Sequence, residues 1–192
     1  MQTVPFSFRP VGGSFAAHPT LLQREYDELL GSGVTNAALT SPSPLRAGRI
    51  VWTGSNRFAF EEHEPLGVIG KRGFLFVVTD GSGDPVDIVA WQPMLDRIGT
   101  WRGIAWALGQ DAIYAPRLTE HDGLSVWRSP LDWLRAGRRG VVLIEPRLAA
   151  DWLCDAGPLV AEDLDHAREL SRVLSRPAPR ILLPADTGRA AA

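Results

Sequence analysis

What this chain has little of narrows it first. Its 192 residues include one cysteine, Cys154, which excludes an internal disulfide framework and fits a reducing compartment. Lysine is as rare: the 20 basic side chains are 19 arginines and Lys71. Any Schiff base or lysine-assisted phosphate transfer therefore depends on that one position. No run of 18 apolar residues occurs, so no transmembrane helix is expected. The opening MQTVPFSFRPVGGSF has no basic stretch followed by an apolar one and does not read as a signal peptide. Neither sign of charge dominates: 22 acidic against 20 basic residues leave a net charge of −2. That is too little for a global field drawing the chain to nucleic acid or anionic membranes. The expectation is a soluble, cytoplasmic protein without a membrane partner.

Completed catalytic signatures are missing too. There is no GxSxG elbow for a nucleophilic serine, and no HExxH or CxxC. GVIGKRG (67–73) has two residues between its glycines and Arg72 after Lys71, where a phosphate loop needs four and a Ser or Thr. As a GXXG nucleic-acid clamp it carries apolar Val68 and Ile69 in the middle. DGSGDP sets Asp80, Ser82 and Asp84 at calcium-loop spacing, but Pro85 and Trp91 stand where Gly and Glu are required, so it reads as a hairpin turn. Lys71 precedes Asp80 and Asp87, the wrong order for a PD-(D/E)xK nuclease. Cys154 follows Leu153 on an apolar helical stretch and reads as a buried structural thiol, with His166 on a helix surface. No cofactor is expected.

What is present is an average globular composition, 45% hydrophobic and 22% charged, at a length that suits one well-cored domain. Residues 1–18 read as an N-terminal arm, 19–184 as a single α+β domain and 185–192 as a tail. TLLQREYDELLGSG predicts a helix over 20–31, with Thr20 and Gln23 at capping-box spacing and Gly31 or Gly33 as its stop. TSPSPLRAG (40–48) is a Pro/Ser hinge. RIVW and RFAF flank the turn TGSN, and GFLFVVT and VDIVAW flank DGSGDP, giving two hairpins. Phe74, Phe76 and Val78 share one face and Leu75 and Val77 the other, so that strand should be central and covered on both sides. Residues 94–108 fit a helix by period, but Gly99 and Gly103 weaken it, and a short helix followed by a strand fits equally well.

SVWRSPLDWLRAGRRGVVLIEP (125–146) predicts a helix capped by Ser129 and Pro130 and stopped near Gly137, then a buried strand. Arg135 and Arg138 sit at the negative end of that helix dipole and need no ligand to explain them. RLAADWLC and AEDLDHARELSRVLS predict two further helices, facing inward through Leu148, Trp152 and Leu153 and through Leu164, Ala167, Leu170 and Leu174. RILL (180–183) reads as a last strand or docking segment. The expected architecture is a central, mostly antiparallel sheet with helices at both ends.

Three surfaces are candidates for function. EEHE (61–64) and TEHD (119–122) would form a hard-cation site if His63 and His121 converged with Glu62, Glu64, Glu120 and Asp122, and a bound water would then be a hydrolytic nucleophile. Seven tryptophans, with arginines beside some of them, offer an interaction face; Arg72, Trp101, Arg102, Trp127, Arg128 and Arg139 are its candidates. Arg135, Arg138 and Arg139 offer a weaker nucleic-acid patch. The phrases VDIVAWQP, GIAWALGQDAI and VWRSPLDWLRAGRRGVVLIEP, within residues 66–146, resemble uncharacterised small proteins of prophage and plasmid-type modules in GC-rich bacteria. That resemblance implies a mobile-element accessory role and assigns no residue. The expected function is a non-enzymatic accessory protein acting through protein contacts. A metal-dependent hydrolase or nuclease and a nucleic-acid-binding accessory protein are the alternatives.

Overall fold

The computed structural model of the protein describes residues 10–114, 123–154 and 156–175. Where the N-terminal arm was expected, residues 11–17 instead form a helix, α1 (Val11–Ala17), with Val11, Ser14 and Phe15 buried. Gly12 and Gly13 break the apolar pattern that would have signalled it. α2 (Gln23–Gly31) starts later than its expected bounds. Leu22 is the N-cap, and its N–H is satisfied by the Glu25 carboxylate at 2.8 Å, while Thr20 is drawn into a bridge with Arg46. Gly33, at φ 89, ends this region as a left-handed stop. α3 (Asn36–Thr40) is capped by the Thr35 hydroxyl, which accepts from Ala38 N.

Five strands follow: β1 (Arg46–Trp52), β2 (Phe58–Phe60), β3 (Lys71–Thr79), β4 (Pro85–Gln92) and β5 (Arg97–Thr100). They form one antiparallel sheet in the order β2-β1-β3-β4-β5, with β3 at its centre. Both expected hairpins are present, pairing Trp52 with Phe58 and Thr79 with Pro85. The Asp80 carboxylate accepts from the N–H groups of Ser82 and Asp84, so DGSGDP is a self-bonded turn. The sheet curls until its margins touch: Arg57 bridges Thr100, and Thr100 N donates to Asn56 O at 2.9 Å. A side chain at position 99 would lie 2.6 Å from the Trp52 ring and 2.7 Å from Asn56 backbone, so glycine permits this closure.

Alternation along β3 sends its side chains into two cores. Leu75 joins Ile50, Phe58, Phe60, Ile88 and Ala90 on one face, closed off by Val11 and Phe15 of α1. Phe76 and Val78 join Val89 and Trp91 on the other, against α2 and α3.

Residues 94–108 resolve into a short 3-10 turn, β5, a loop, and β6 (Ala107–Leu108). With β7 (Leu124–Trp127), β8 (Val141–Leu143) and β9 (Leu159–Val160), β6 builds a second sheet in the order β6-β8-β7-β9. In it β7 runs parallel to both neighbours and β6 is antiparallel to β8. α4 (Pro130–Arg135) links β7 to β8, with Ser129 accepting from Asp132 N as its cap. The chain turns back at Gly140 (φ 85), where an added Cβ would fall 2.3 Å from Ser125 O. The buried Trp133 indole donates to Gly140 O at 2.9 Å and meets the Phe76 ring edge-on at 5.8 Å, so one core joins the two sheets.

α5 (Pro146–Leu153) and α6 (Leu164–Leu174) pack on each other. α5 turns inward through Ala149 and Leu153, while Leu148 is 42% and Trp152 49% exposed, a quarter-turn away from the expected face. On α6 the inward residues are His166 and Leu170, and Leu164 is exposed. His166 is thus buried, not on the surface; its Nδ1 accepts from Glu162 N at 3.2 Å. Cys154 is exposed, its thiol bonded to Asp151 O at the end of α5, and is not a core thiol. The expected RILL segment and tail lie outside the described residues. No helix among the described residues is long and apolar enough to cross a membrane.

Candidate binding groove and the arginine and tryptophan surfaces

The acidic-histidine site can be followed on one side only. Glu120, His121 and Asp122 lie outside the described residues. Glu61–His63 form a 3-10 turn after β2. Glu61 accepts from Arg49 Nε at 2.6 Å and Gly70 N at 2.8 Å, and these two donors hold its carboxyl below the usual range. His63 Nε2 lies 3.6 Å from Glu62, and its ring stacks on Trp101 at 6.4 Å. Glu64 caps the turn with its backbone N–H. Among the described residues no three His, Cys, Asp or Glu side chains gather as a metal set.

The six residues expected to form an interaction face fall in separate places. Trp101 and Arg102 stay together, the guanidinium 4.9 Å from the ring centre. Arg128 is closed into a latch at the end of β7: it donates to Asp163 at 2.6 and 2.9 Å and to Glu162 at 3.1 Å. The pair drives the Asp163 carboxyl far down and the guanidinium up. Trp127 Nε1 donates to Arg139 O at 2.6 Å, so this pair is joined through backbone. Arg72 on β3 grips Glu25 of α2 with two hydrogen bonds, one at 3.0 Å, and that contact lowers the Glu25 carboxyl.

Arg135 at the end of α4 and Arg138 just after it are held mainly by carbonyls distant in sequence, where the sequence pointed to the local helix dipole. Arg135 donates to Ser32 O and Asp132. Arg138, in the left-handed region at φ 63, donates to Ala38 O and Ser43 O, stitching α4 to α3. Burial lowers its pKa to about 10, and its Nη2 has no partner.

A concave surface beside α2 was not anticipated. A groove of about 460 Å³ runs between α2 and the sheet, with Leu29, Phe74, Trp91 and Leu131 in its lining. That volume lies in the range of small-molecule and side-chain pockets. Phe74 and Trp91 meet at 5.7 Å as tilted rings. Met94 stands 99% exposed at the rim, an adaptable apolar side chain where a partner would arrive. The Arg72–Glu25 pair closes one side with its charges already matched. Arg24 and Glu28, four apart on α2, also line it and form no ion pair among the described residues. The groove therefore favours apolar matter at its base and accepts either sign of charge at its edge. The sequence hid it because its parts come from four segments, and each apolar residue also fits an ordinary core period.

A second missed residue is Asp87, the lone acid in the apolar strand β4. Fully buried, it accepts from Ile88 N, Arg102 N and Ile104 N at 2.8 Å and from Ala105 N at 3.0 Å. It fixes the loop that carries Trp101 and Arg102. Its signal was a charge where alternation demanded an apolar side chain. Comparison of the chain with protein-family models, curated proteins and solved structures finds no match.

Proposed function

We propose that this protein is a non-enzymatic accessory protein that acts by binding a partner protein, and that the α2 groove takes apolar side chains of that partner. The observation that carries this reading is the aromatic-lined groove with a fully exposed methionine at its rim. A concave, mostly apolar surface with a few charged groups at its edge is the usual form of a binding site. Placement in a phage or mobile element rests on the sequence resemblance alone.

Met94→Asp and Arg24→Glu change exposed or rim groups outside the core, so neither should disturb the fold. Partner capture from the native host, followed by a direct titration of the purified pair, is expected to weaken about tenfold or more in Met94→Asp. Unchanged affinity in both variants would remove the groove from the reading. Turnover of a phosphoester or nucleic-acid substrate by the purified chain, abolished by EDTA, would replace the reading with the hydrolase.

A further inference from the structure

A second surface lies around the meeting point of the sheet margins. A cleft of about 180 Å³ is lined by Asn56, Arg57, Thr100, Gly103, Glu145 and Leu148, among others. One arginine, Arg57, lines it, and a second, Arg97, is bound to the turn just before the lining Asn56; both are held by carbonyl oxygens. Arg57 Nη2 donates to Trp101 O at 3.2 Å. Arg97 donates to Gly54 O and, at 3.2 Å, to Ser55 O, with its guanidinium 4.2 Å over the Trp52 ring. Neither meets a carboxylate within ion-pair distance among the described residues. A carbonyl fixes a guanidinium without cancelling its charge, so both groups are oriented and still positive. One acid, Glu145, also lines the cleft; Asn56 Nδ2 donates to it at 2.6 Å and orients it without cancelling its charge, so Arg57 and Arg97 together leave an excess of one positive charge here.

Apolar groups on α5 and in the 103–105 loop adjoin this cleft. Leu148 and Trp152 are successive residues on one face of α5 (i, i+4), both about half exposed. Ile104, 54% exposed, stands between Gly103 and Ala105, which both line the cleft. Positive charge beside exposed apolar side chains complements a segment that is itself acidic on one face and apolar on the next. The geometry points to an acidic, amphipathic segment of a partner protein docking across Arg57, Arg97 and the outer face of α5. Single-stranded nucleic acid would share the charge requirement, but it needs open ring faces for its bases. Here Trp101 is stacked by His63 and covered by Arg102, and Trp52 is covered by Arg97, which leaves half-exposed Trp152 as a single ring rather than the succession of faces that stacked bases use.

This surface shares no residue with the α2 groove, so the two ideas fail independently. The test titrates the full chain, by fluorescence anisotropy, with a labelled helical peptide carrying leucines at i, i+3, i+4 and i+7 and glutamates elsewhere. Its lysine counterpart and a mixed-sequence single-stranded oligonucleotide are the comparison probes. The glutamate peptide is expected to saturate the protein, to weaken with added salt, and to outcompete both comparisons. The pair Arg57→Glu with Arg97→Glu, and the pair Leu148→Ser with Trp152→Ser, should each reduce its affinity about tenfold or more. Met94→Asp should leave it unchanged, and Arg57→Gln checks that the fold tolerates neutralisation. Failure of the glutamate peptide to saturate, equal or tighter binding of either comparison probe, or indifference to both double variants overturns the proposal.

Discussion

The Asp87 carboxylate shows how one side chain can fix the backbone of four other residues. Two oxygens take four backbone N–H groups from the strand and from the 101–105 loop. Asp87→Ala would leave two buried and two part-buried donors without acceptors, at about 3 kcal/mol of stability, readable as a lower urea midpoint. Asp87→Asn keeps the shape but turns an amide N–H₂ towards donors, so it should recover only part of that loss. His18 gives a different test. Its ring lies 4.3 Å from Phe60 in a half-buried site, and burial lowers its pKa below 6.5. The folded state therefore prefers neutral imidazole, and stability should fall as pH drops through about 6.5. Thermal midpoints across that range should flatten in His18→Gln. Neither role was written in the sequence. A lone Asp in an apolar strand and a His before a proline signal tension with their surroundings, but not which groups resolve it.

Between elements, two ion pairs join parts distant in sequence: Glu25 of α2 with Arg72 of β3, and Asp163 at the head of α6 with Arg128 after β7. Both carboxyls are held below their ordinary range. Their contribution is present above about pH 4, where the unfolded carboxylates are ionised, and is lost as pH falls further. Arg72→Gln and Arg128→Gln should each shallow the acid limb of a stability-against-pH curve. Helices α2, α4, α5 and α6 were legible, because caps and periods are local, and Ser129, Pro130 and Gly137 marked α4 to within a residue or two; α1 and the five-residue α3 carry too little apolar period to be read. Which side of a helix turns inward was less so. On α5, LAADWL offers two apolar stripes a quarter-turn apart, and only the neighbours decide between them. Leu153→Ala should cost about 2–4 kcal/mol, while Trp152→Ser should change stability by about 0.5 kcal/mol or less. Equal losses would mean that α5 is seated on the other stripe.

For the molecule as a whole, the antiparallel meander could be read from alternation and turn residues, since its partners are close in sequence. The second sheet could not. Strands of two to four residues carry almost no period, and β7 pairs with β8 and β9 across intervening helices. Phe76 and Trp133, one on each side of that division, make the shared core testable. Trp133→Ala removes the ring contact and the hydrogen bond to Gly140, at about 3–5 kcal/mol, and should shift a single cooperative transition seen by both near- and far-ultraviolet dichroism.

The curl that brings Arg57 against Thr100 reaches beyond packing. A flat five-stranded sheet would end in two rows of idle amides, each a template on which a foreign chain could extend the ladder. Here the rows are turned towards one another where they meet. Recruitment by adding a strand at that seam is closed off, which leaves recognition there to side chains standing on the outside of the fold.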